Sequence, residues 1–332
     1  VLDIFSPLYY VLKQKKQLFA KKKRVIVIAG PTAVGKTKIS LEIANLLGGE
    51  IISVDSMQVY KGMDIGTAKA SVQEREEVPH HMIDVADLSQ DYNVASYYKE
   101  ANEALRDVIK REKIPIIVGG SGFYVNTLLY GPPNGPPSNP EIRKHLEAKM
   151  EKEGCEVMYE RLQILDPAYA KTLTERDKQK IIRGLEIITI TKMSVSSIPM
   201  PSKDLKQSLY DFRLWFLSMP KESLYKKIEL RCDQMVQMGL INEVQKLVKE
   251  GLERNSSAAN AIGYRQVLDY LRTSQSLEEK EKMIQELKRV TRKYVKRQYT
   301  WFKKENGYRW LDIEKQGVDR VLEYILQDFE QG

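Results

Sequence analysis

Residues 30–37 read Gly-Pro-Thr-Ala-Val-Gly-Lys-Thr, the spacing GxxxxGK[ST] of a phosphate-cradling loop. At ordinary glycine usage, a chance match somewhere in a chain this long is expected roughly once in a hundred sequences. The chemistry accounts for the residue types. Gly30 and Gly35 let the backbone curl, so that the N–H groups between them converge on phosphate oxygens. A helix starting at Lys36 adds the positive potential of its N-terminus. Lys36 brings a cation to the terminal phosphate, and Thr37 offers a hydroxyl to Mg²⁺. A phosphate loop does not by itself say which phosphate compound is bound.

Asp55 is the next residue able to do chemistry. It follows an apolar β-branched run, at what would be the carboxyl end of a strand, where ligands collect in parallel sheets. A carboxylate there serves as a general base for an acceptor group, an effect typically worth 10²–10⁴-fold. It serves equally well as a cap for the backbone of Ser56, Met57 and Gln58. Ser121 stands at the corresponding end of a later strand and has the same two readings, donor to a ligand or cap. That strand, residues 114–118, ends in Gly119-Gly120-Ser121 and carries no acid where a switch ATPase holds Mg²⁺, which argues against a motor or a switch. His80-His81 invites a metal reading, but no third ligand is evident. From 288 to 304 the chain places Lys288, Arg289, Arg292, Lys293, Lys296, Arg297, Lys303 and Lys304 with no acid among them, interleaved with Tyr294, Tyr299 and Trp301. Like charges at i, i+4 destabilise a helix by a few tenths of a kcal/mol per pair. A polyanion would relieve this and release counterions; a solvated face with aromatics packed inward is the alternative.

These residues need elements to position them. Residues 24–29 form an apolar run, 36–47 have helical spacing stopped by Gly48-Gly49, and 50–54 form a second apolar run. Strand, helix and strand in about 30 residues make a βαβ unit. A helix over 93–112, the strand 114–118 and a helix over 123–130 follow. Five prolines between Gly131 and Pro140 mark a break. Residues 141–195 are helical and charged. Beyond them the pattern predicts a returning strand over 210–218 and two helices in 221–250 split near Gly239. A helix over 258–271, one long helix over 277–304, a strand over 308–312 and a last helix over 318–329 complete the chain.

The 332 residues, 42% hydrophobic and 30% charged, suffice for a sizeable core and more than one domain. The formal net charge of +8 favours an acidic partner. Two distant cysteines, Cys155 and Cys232, exclude a disulfide framework and a zinc finger and fit a reducing, cytoplasmic compartment. No apolar run approaches the roughly 20 residues that span a bilayer, so no membrane association is expected. In residues 1–23 the apolar stretch precedes the lysines, the reverse of a signal peptide. They read as an extension packed on the domain, with a surface arm for RNA as the alternative.

The ordered set of motifs resembles the tRNA dimethylallyltransferase (tRNA isopentenyltransferase) family, bacterial type. It comprises Gly30 to Thr37, Asp55-Ser-Met-Gln-Val-Tyr60, Gly66-Thr-Ala-Lys69, Pro79-His-His-Met-Ile-Asp84, Val118-Gly-Gly-Ser-Gly-Phe-Tyr124, Asp166-Pro167 and Arg183-Gly-Leu-Glu186. It continues with Arg231-Cys-Asp-Gln-Met235, Gly239-Leu240, Ala261-Ile-Gly-Tyr-Arg-Gln266, and Thr291-Arg292 through Lys296-Arg-Gln-Tyr-Thr-Trp301. The resemblance covers roughly residues 24–312. It implies an α/β fold, a P-loop NTPase-like core with a mostly parallel sheet flanked by helices (24–138 and 196–332), plus a helical inserted domain (139–195) that closes on the anticodon stem-loop. The implied reaction moves a dimethylallyl group from dimethylallyl diphosphate to N6 of the adenine 3′ of the anticodon, with Mg²⁺ as cofactor, in a monomeric enzyme. Such an adenine must leave its stack to react. The diphosphate would lie on Gly30, Pro31, Thr32, Ala33, Val34, Gly35, Lys36 and Thr37, with Arg231 in support of it or of the RNA. Asp55, Ser56, Met57 and Gln58 would meet the target nucleotide, with Asp55 as base; Ser121 and Arg143 would touch RNA near the channel. Gln179, Lys180, Ile181, Ile182, Arg183, Gly263, Tyr264 and Arg265 would hold the anticodon loop.

The chain departs from the family pattern in places. Ser121 stands where threonine is frequent, which keeps the hydroxyl. Thr174-Glu-Arg-Asp177 replaces a Pro-Asn-Asp stretch just before Gln179. Lys192 replaces a common glycine, so the turn there is expected to differ. The eukaryotic zinc finger is absent, and residues 1–23 match no motif of the family. Two other classes fit part of the pattern. A small-molecule kinase would use the same loop and Asp55 on a hydroxyl acceptor, but leaves the basic helix and the insertion without a role. A nucleotide-switched RNA-binding protein lacks its acid after the third strand.

Overall fold

A computed structural model describes residues 22–90 and 92–331. The expectation of an extension over 1–23 lies almost wholly outside the described residues. The described residues divide into two compact units, 130–203 in one and the rest of the described residues in the other.

The larger unit opens with β1 (Lys23–Ala29), a helix α1 (Lys36–Leu47) and β2 (Gly49–Val54). In β1, Val25 to Ala29 are almost completely buried, as expected of a strand covered on both faces. The helix α1 buries Ile39, Ser40, Ile43 and Ala44 and ends at Gly48, whose φ of 61° is the left-handed cap that glycine adopts without strain. A short helix α2 (Val72–Glu77), capped by Ser71, and a two-residue strand β3 (His80–His81) come next. Both escape the sequence reading, being too short to show a period. Then α3 (Val94–Lys110) lays Tyr97, Ala101, Leu105 and Val108 on the core, β4 spans Ile114–Gly119, and α4 spans Gly122–Tyr130.

The smaller unit is helical: α5 (Pro140–Glu153), α6 (Cys155–Leu165), α7 (Pro167–Ala170) and α8 (Lys178–Thr191). Leu146, Met150, Met158, Leu162, Leu173, Ile181, Ile182 and Leu185 form its core. It runs from 130 to 203 rather than the expected 139–195, because the proline-rich stretch belongs to it. The buried Glu186 carboxylate accepts the Ser138 hydroxyl at 2.6 Å and the Asn139 amide at 2.7 Å, and Arg183 donates to the Pro136 carbonyl at 2.5 Å. Lys192, which stands where a glycine is common, ends α8 with φ of 59°, in the left-handed region that favours glycine.

The larger unit resumes with β5 (Tyr210–Ser218), α9 (Lys221–Gln237) and α10 (Leu240–Lys249). The single helix expected over 258–271 is instead two, α11 (Ser256–Ala259) and α12 (Tyr264–Leu271). Gly263, with φ of 94°, breaks the run. The 26-residue α13 (Leu277–Phe302) follows, then β6 (Arg309–Asp312), α14 (Ile313–Gln316) and α15 (Val318–Gln331). No described helix is long and apolar enough to cross a membrane.

The six strands form one sheet in the order β3-β2-β4-β1-β5-β6, with every pair parallel. Its register does the positioning. Ala29 and Val54 both pair with Gly119, so three strands end level, and Gly30, Asp55 and Gly120 leave the sheet side by side. Gly119 is required there, since a Cβ on it would lie 2.1 Å from the Val54 carbonyl oxygen.

Candidate active site

The loop after β1 carries two residues with positive φ, Ala33 at 64° and Gly35 at 110°, which curl the backbone ahead of α1. Gly30, Pro31 and Val34 are buried, so Val34 serves through its main chain alone. The Lys36 ammonium donates to the carbonyls of Gly30 at 2.9 Å and Pro31 at 2.8 Å. Above the loop lies a cavity of about 300 Å³ lined by Thr32, Lys36, Thr37, Asp55, Gln58 and Arg231 among others.

Gln298 of α13, which sequence reasoning missed as a site residue, fixes the loop. Its side-chain oxygen accepts the Thr32 amide at 3.1 Å and its nitrogen donates to the Gly120 carbonyl at 3.0 Å. Both bonds are long-range, so no local pattern signals them.

The Asp55 carboxylate accepts the amides of Met57 at 2.8 Å and Gln58 at 3.3 Å. The capping reading is therefore realised, over a turn rather than a helix. The same side chain lines the cavity, so the two readings are compatible. Burial raises its pKa, while the Met57 and Gln58 amides, Lys36 and Arg231 pull it down. Lys36 is lowered to about 7 by burial and by the Arg231 charge. Burial also lowers Arg231, which has no ion pair among the described residues. Two cations thus share one carboxylate in a poorly solvated space, a setting that favours a polyanion.

A second cavity, about 280 Å³ in volume, is lined by Ser56, Met57, Ile228, Met235, Ile262 and Leu287 among others. Thr32, Asp55, Thr67, Arg231 and Tyr294 line both cavities. The two spaces therefore meet at Asp55: one side is phosphate loop and cation, the other is largely apolar. Tyr294, read from sequence only as an aromatic interleaved in the basic helix, borders both cavities. Burial, with the Asp55 charge nearby, pushes its hydroxyl up to about 12, while Ser121, Arg297 and Gln298 pull it the other way.

Other expected site residues fall elsewhere. Tyr264 is fully buried, not presented to a ligand. Its ring packs on Gly66, and its hydroxyl donates to Glu243 at 2.6 Å. The Glu243 carboxylate also accepts the amides of Asp64 at 3.1 Å, Ile65 at 2.7 Å and Gly66 at 3.1 Å, shaping the loop that leads to Thr67. Gly263 is buried beside them, and only Arg265 of the three is exposed, paired with Asp269 at 3.0 Å. In the smaller unit, Ile181 and Ile182 are 0% and 3% exposed and pack in its core, so neither side chain is available to RNA. Their neighbours do share a face: Arg143 bonds Gln179 and Glu147, Arg183 bonds Glu186 at 2.7 Å, and Lys180 pairs with Asp177 at 3.4 Å.

The basic helix divides into two rows. Lys288 pairs with Asp233 at 2.7 Å and Arg292 with Glu229 at 2.7 Å, which ties α13 to α9. Lys293, Lys296 and Arg297 are exposed. The histidine pair finds protein partners. His81 Nε2 lies 2.7 Å from the buried Glu50, which Arg111 also holds, and His80 Nδ1 lies 2.7 Å from the Val78 carbonyl.

Comparison with known proteins bears on this geometry. The family model described as IPP transferase matches residues 58–305. The tRNA dimethylallyltransferase of Protochlamydia amoebophila is 52% identical over 309 residues, 93% of this chain and 90% of the relative. The full-length tRNA isopentenylpyrophosphate transferase of Bacillus halodurans superposes with a TM-score of 0.67 at 37% identity, covering 93% of this chain and 98% of that one. A eukaryotic dimethylallyltransferase, described as captured acting on tRNA, superposes with a TM-score of 0.73 at 29% identity, covering 92% and 79%.

Proposed function

The chain belongs to the IPP transferase family, and we propose that its two joined cavities are the two ends of a tRNA prenyl-transfer reaction. The observation that carries this reading is that Asp55 lines both cavities, with the phosphate loop and Lys36 on one side and a mostly apolar space, bordered by Arg231 and Arg297, on the other. The donor is dimethylallyl diphosphate, held with its diphosphate on the 30–37 loop, Lys36 and Arg231. The acceptor is the adenine 3′ of the anticodon, flipped out of its stack and admitted from the second cavity.

Within that passage the bond changes are simple. The adenine N6 forms a bond to the allylic carbon, the carbon–oxygen bond to diphosphate breaks, and the diphosphate leaves with the electron pair. Asp55 takes the N6 proton. Lys36 and Arg231 stabilise the charge that develops on the leaving group, and they act strongly because the space excludes water. The turn that Asp55 caps fixes the carboxylate in place before the substrate arrives.

A divalent cation suits this donor set. Thr37 lines the diphosphate cavity, and its hydroxyl has no hydrogen-bond partner among the described residues. Mg²⁺ characteristically takes one or two protein ligands and completes its shell with phosphate oxygens and water. When bound it would neutralise charge on the diphosphate.

The test is a transfer assay with the protein, Mg²⁺, labelled dimethylallyl diphosphate and an anticodon stem-loop carrying adenine beside the anticodon. Label enters the RNA, and Asp55→Ala abolishes most of it. Absence of label on several such stem-loops, with phosphate transfer from ATP to a small acceptor instead, would overturn the reading.

A further inference from the structure

One exposed feature outside the passage combines ring faces with unpaired positive charge. Trp301 in the last turns of α13 and Phe123 in the first turn of α4 meet edge to face, with centroids 6.5 Å apart and planes at 76°. Both stay in solvent, 38% and 44% exposed. The Trp301 ring is held in place: it lies on the backbone of Gly122, where an added Cβ would come within 2.3 Å of its Cδ1. Beside it runs a shallow groove lined by Lys296, Arg297, Thr300, Trp301, Lys304 and Glu305. Lys296, Arg297 and Lys304 have no ion pair among the described residues, and Arg297 lies over the Tyr294 ring at 5.4 Å. Arg297 also lines the second cavity, so groove and cavity lie against the same side chain.

We propose that Trp301 and Phe123 form a stacking platform for a nucleotide neighbouring the target adenine, with Lys296, Arg297 and Lys304 meeting its phosphates. This rests on the reading of the second cavity as the adenine's entrance. Flipping a base out of a loop leaves its neighbours without a stacking partner. A fixed aromatic face next to the mouth replaces that partner. Stacking on aromatic side chains flanked by cations is the way single-stranded RNA is held without dependence on one base identity. A surface built for a protein partner would place its aromatic residues in a charge-depleted centre; here three unpaired cations share the groove with the ring.

The experiment measures RNA binding and prenyl transfer for the parent protein, Trp301→Ala, Phe123→Ala and Trp301→Phe. The RNAs are an anticodon stem-loop with all bases present and two versions abasic at the nucleotide on either side of the target adenine. Trp301→Ala is expected to weaken binding of the intact RNA by about tenfold or more, and Trp301→Phe by less. The KM for RNA rises, while the affinity for inorganic diphosphate and the kcat at saturating RNA hold. The loss shrinks to near nothing on whichever abasic RNA lacks the stacked base, a coupling that misfolding does not produce. Transfer by the parent protein with no such coupling overturns the platform alone. Failure of the parent to prenylate any stem-loop overturns the passage reading, and the platform with it.

Discussion

The amide of Thr32 donates to the side-chain oxygen of Gln298 at 3.1 Å, joining the phosphate loop to a helix 266 residues further along the chain. Because Gln298 also donates to the Gly120 carbonyl, one buried side chain holds two of the loops that leave the sheet at the same level. The shape of the proposed diphosphate site thus depends on α13 as much as on its own glycines.

Gln298→Ala removes both bonds and leaves a buried amide and carbonyl without partners. Equilibrium denaturation should show a loss of roughly 1–3 kcal/mol. Titration with inorganic diphosphate should show weaker binding. Wild-type affinity in the variant would mean that the loop holds its form unaided.

Lys36 gives the site a pH dependence with a definite sign. Burial and Arg231 lower its pKa to about 7, and the protonated amine is the form that attracts a polyanion. Affinity for inorganic diphosphate should therefore hold below about pH 7 and fall above it, by up to about tenfold per pH unit. Lys36→Arg keeps its charge across this range and should remove most of the fall. An equal decline in the variant would locate the titration elsewhere.

The two cation rows of α13 should separate in a salt titration. Lys296→Ala, on the exposed row, should reduce the slope of log K against log salt for RNA by about 0.7, the value for one single-strand phosphate contact. Arg292→Ala should leave that slope alone. It frees Glu229 from its 2.7 Å partner and should instead lower the melting temperature. Equal slopes for the two variants would contradict the division.

Lys192 sits at φ 59°, a conformation that costs a residue with a side chain roughly 1–2 kcal/mol. Lys192→Gly relieves that strain but adds freedom to the unfolded chain, which takes back part of the gain. The net expectation is a stabilisation of about 0.5–1 kcal/mol, read by denaturant unfolding. Destabilisation would show that the lysine side chain makes a compensating contact.

How far the sequence disclosed the structure depends on the range of the interaction. The run 24–29 and the helix 36–47 were legible because a buried strand and an amphipathic helix each write a local period. Their ends fall within a residue of expectation. Asp55 was legible as a candidate, but only the structure shows that one carboxylate both holds the turn and lines the cavity. Gln298 and Glu243 act across the chain and leave no local pattern. Ile181 and Ile182 show the hazard of carrying a motif over as a block: in α8 the helical period turns both into the core, while Arg183 is half-buried and bonded to Glu186. The helix expected over 258–271 failed at Gly263, a glycine read as part of a motif when it also ends a run.

The central claim is that Asp55 is the base at the junction of the two cavities, beyond its part in the turn. Asp55→Asn separates these, because the amide oxygen can still accept the Met57 and Gln58 amides but the side chain cannot take a proton. Single-turnover transfer to an anticodon stem-loop should slow by 10²–10⁴-fold, with unchanged affinity for RNA and for inorganic diphosphate. Near-normal transfer by Asp55→Asn, alongside loss in Asp55→Ala, would contradict the account and leave Asp55 with the turn alone.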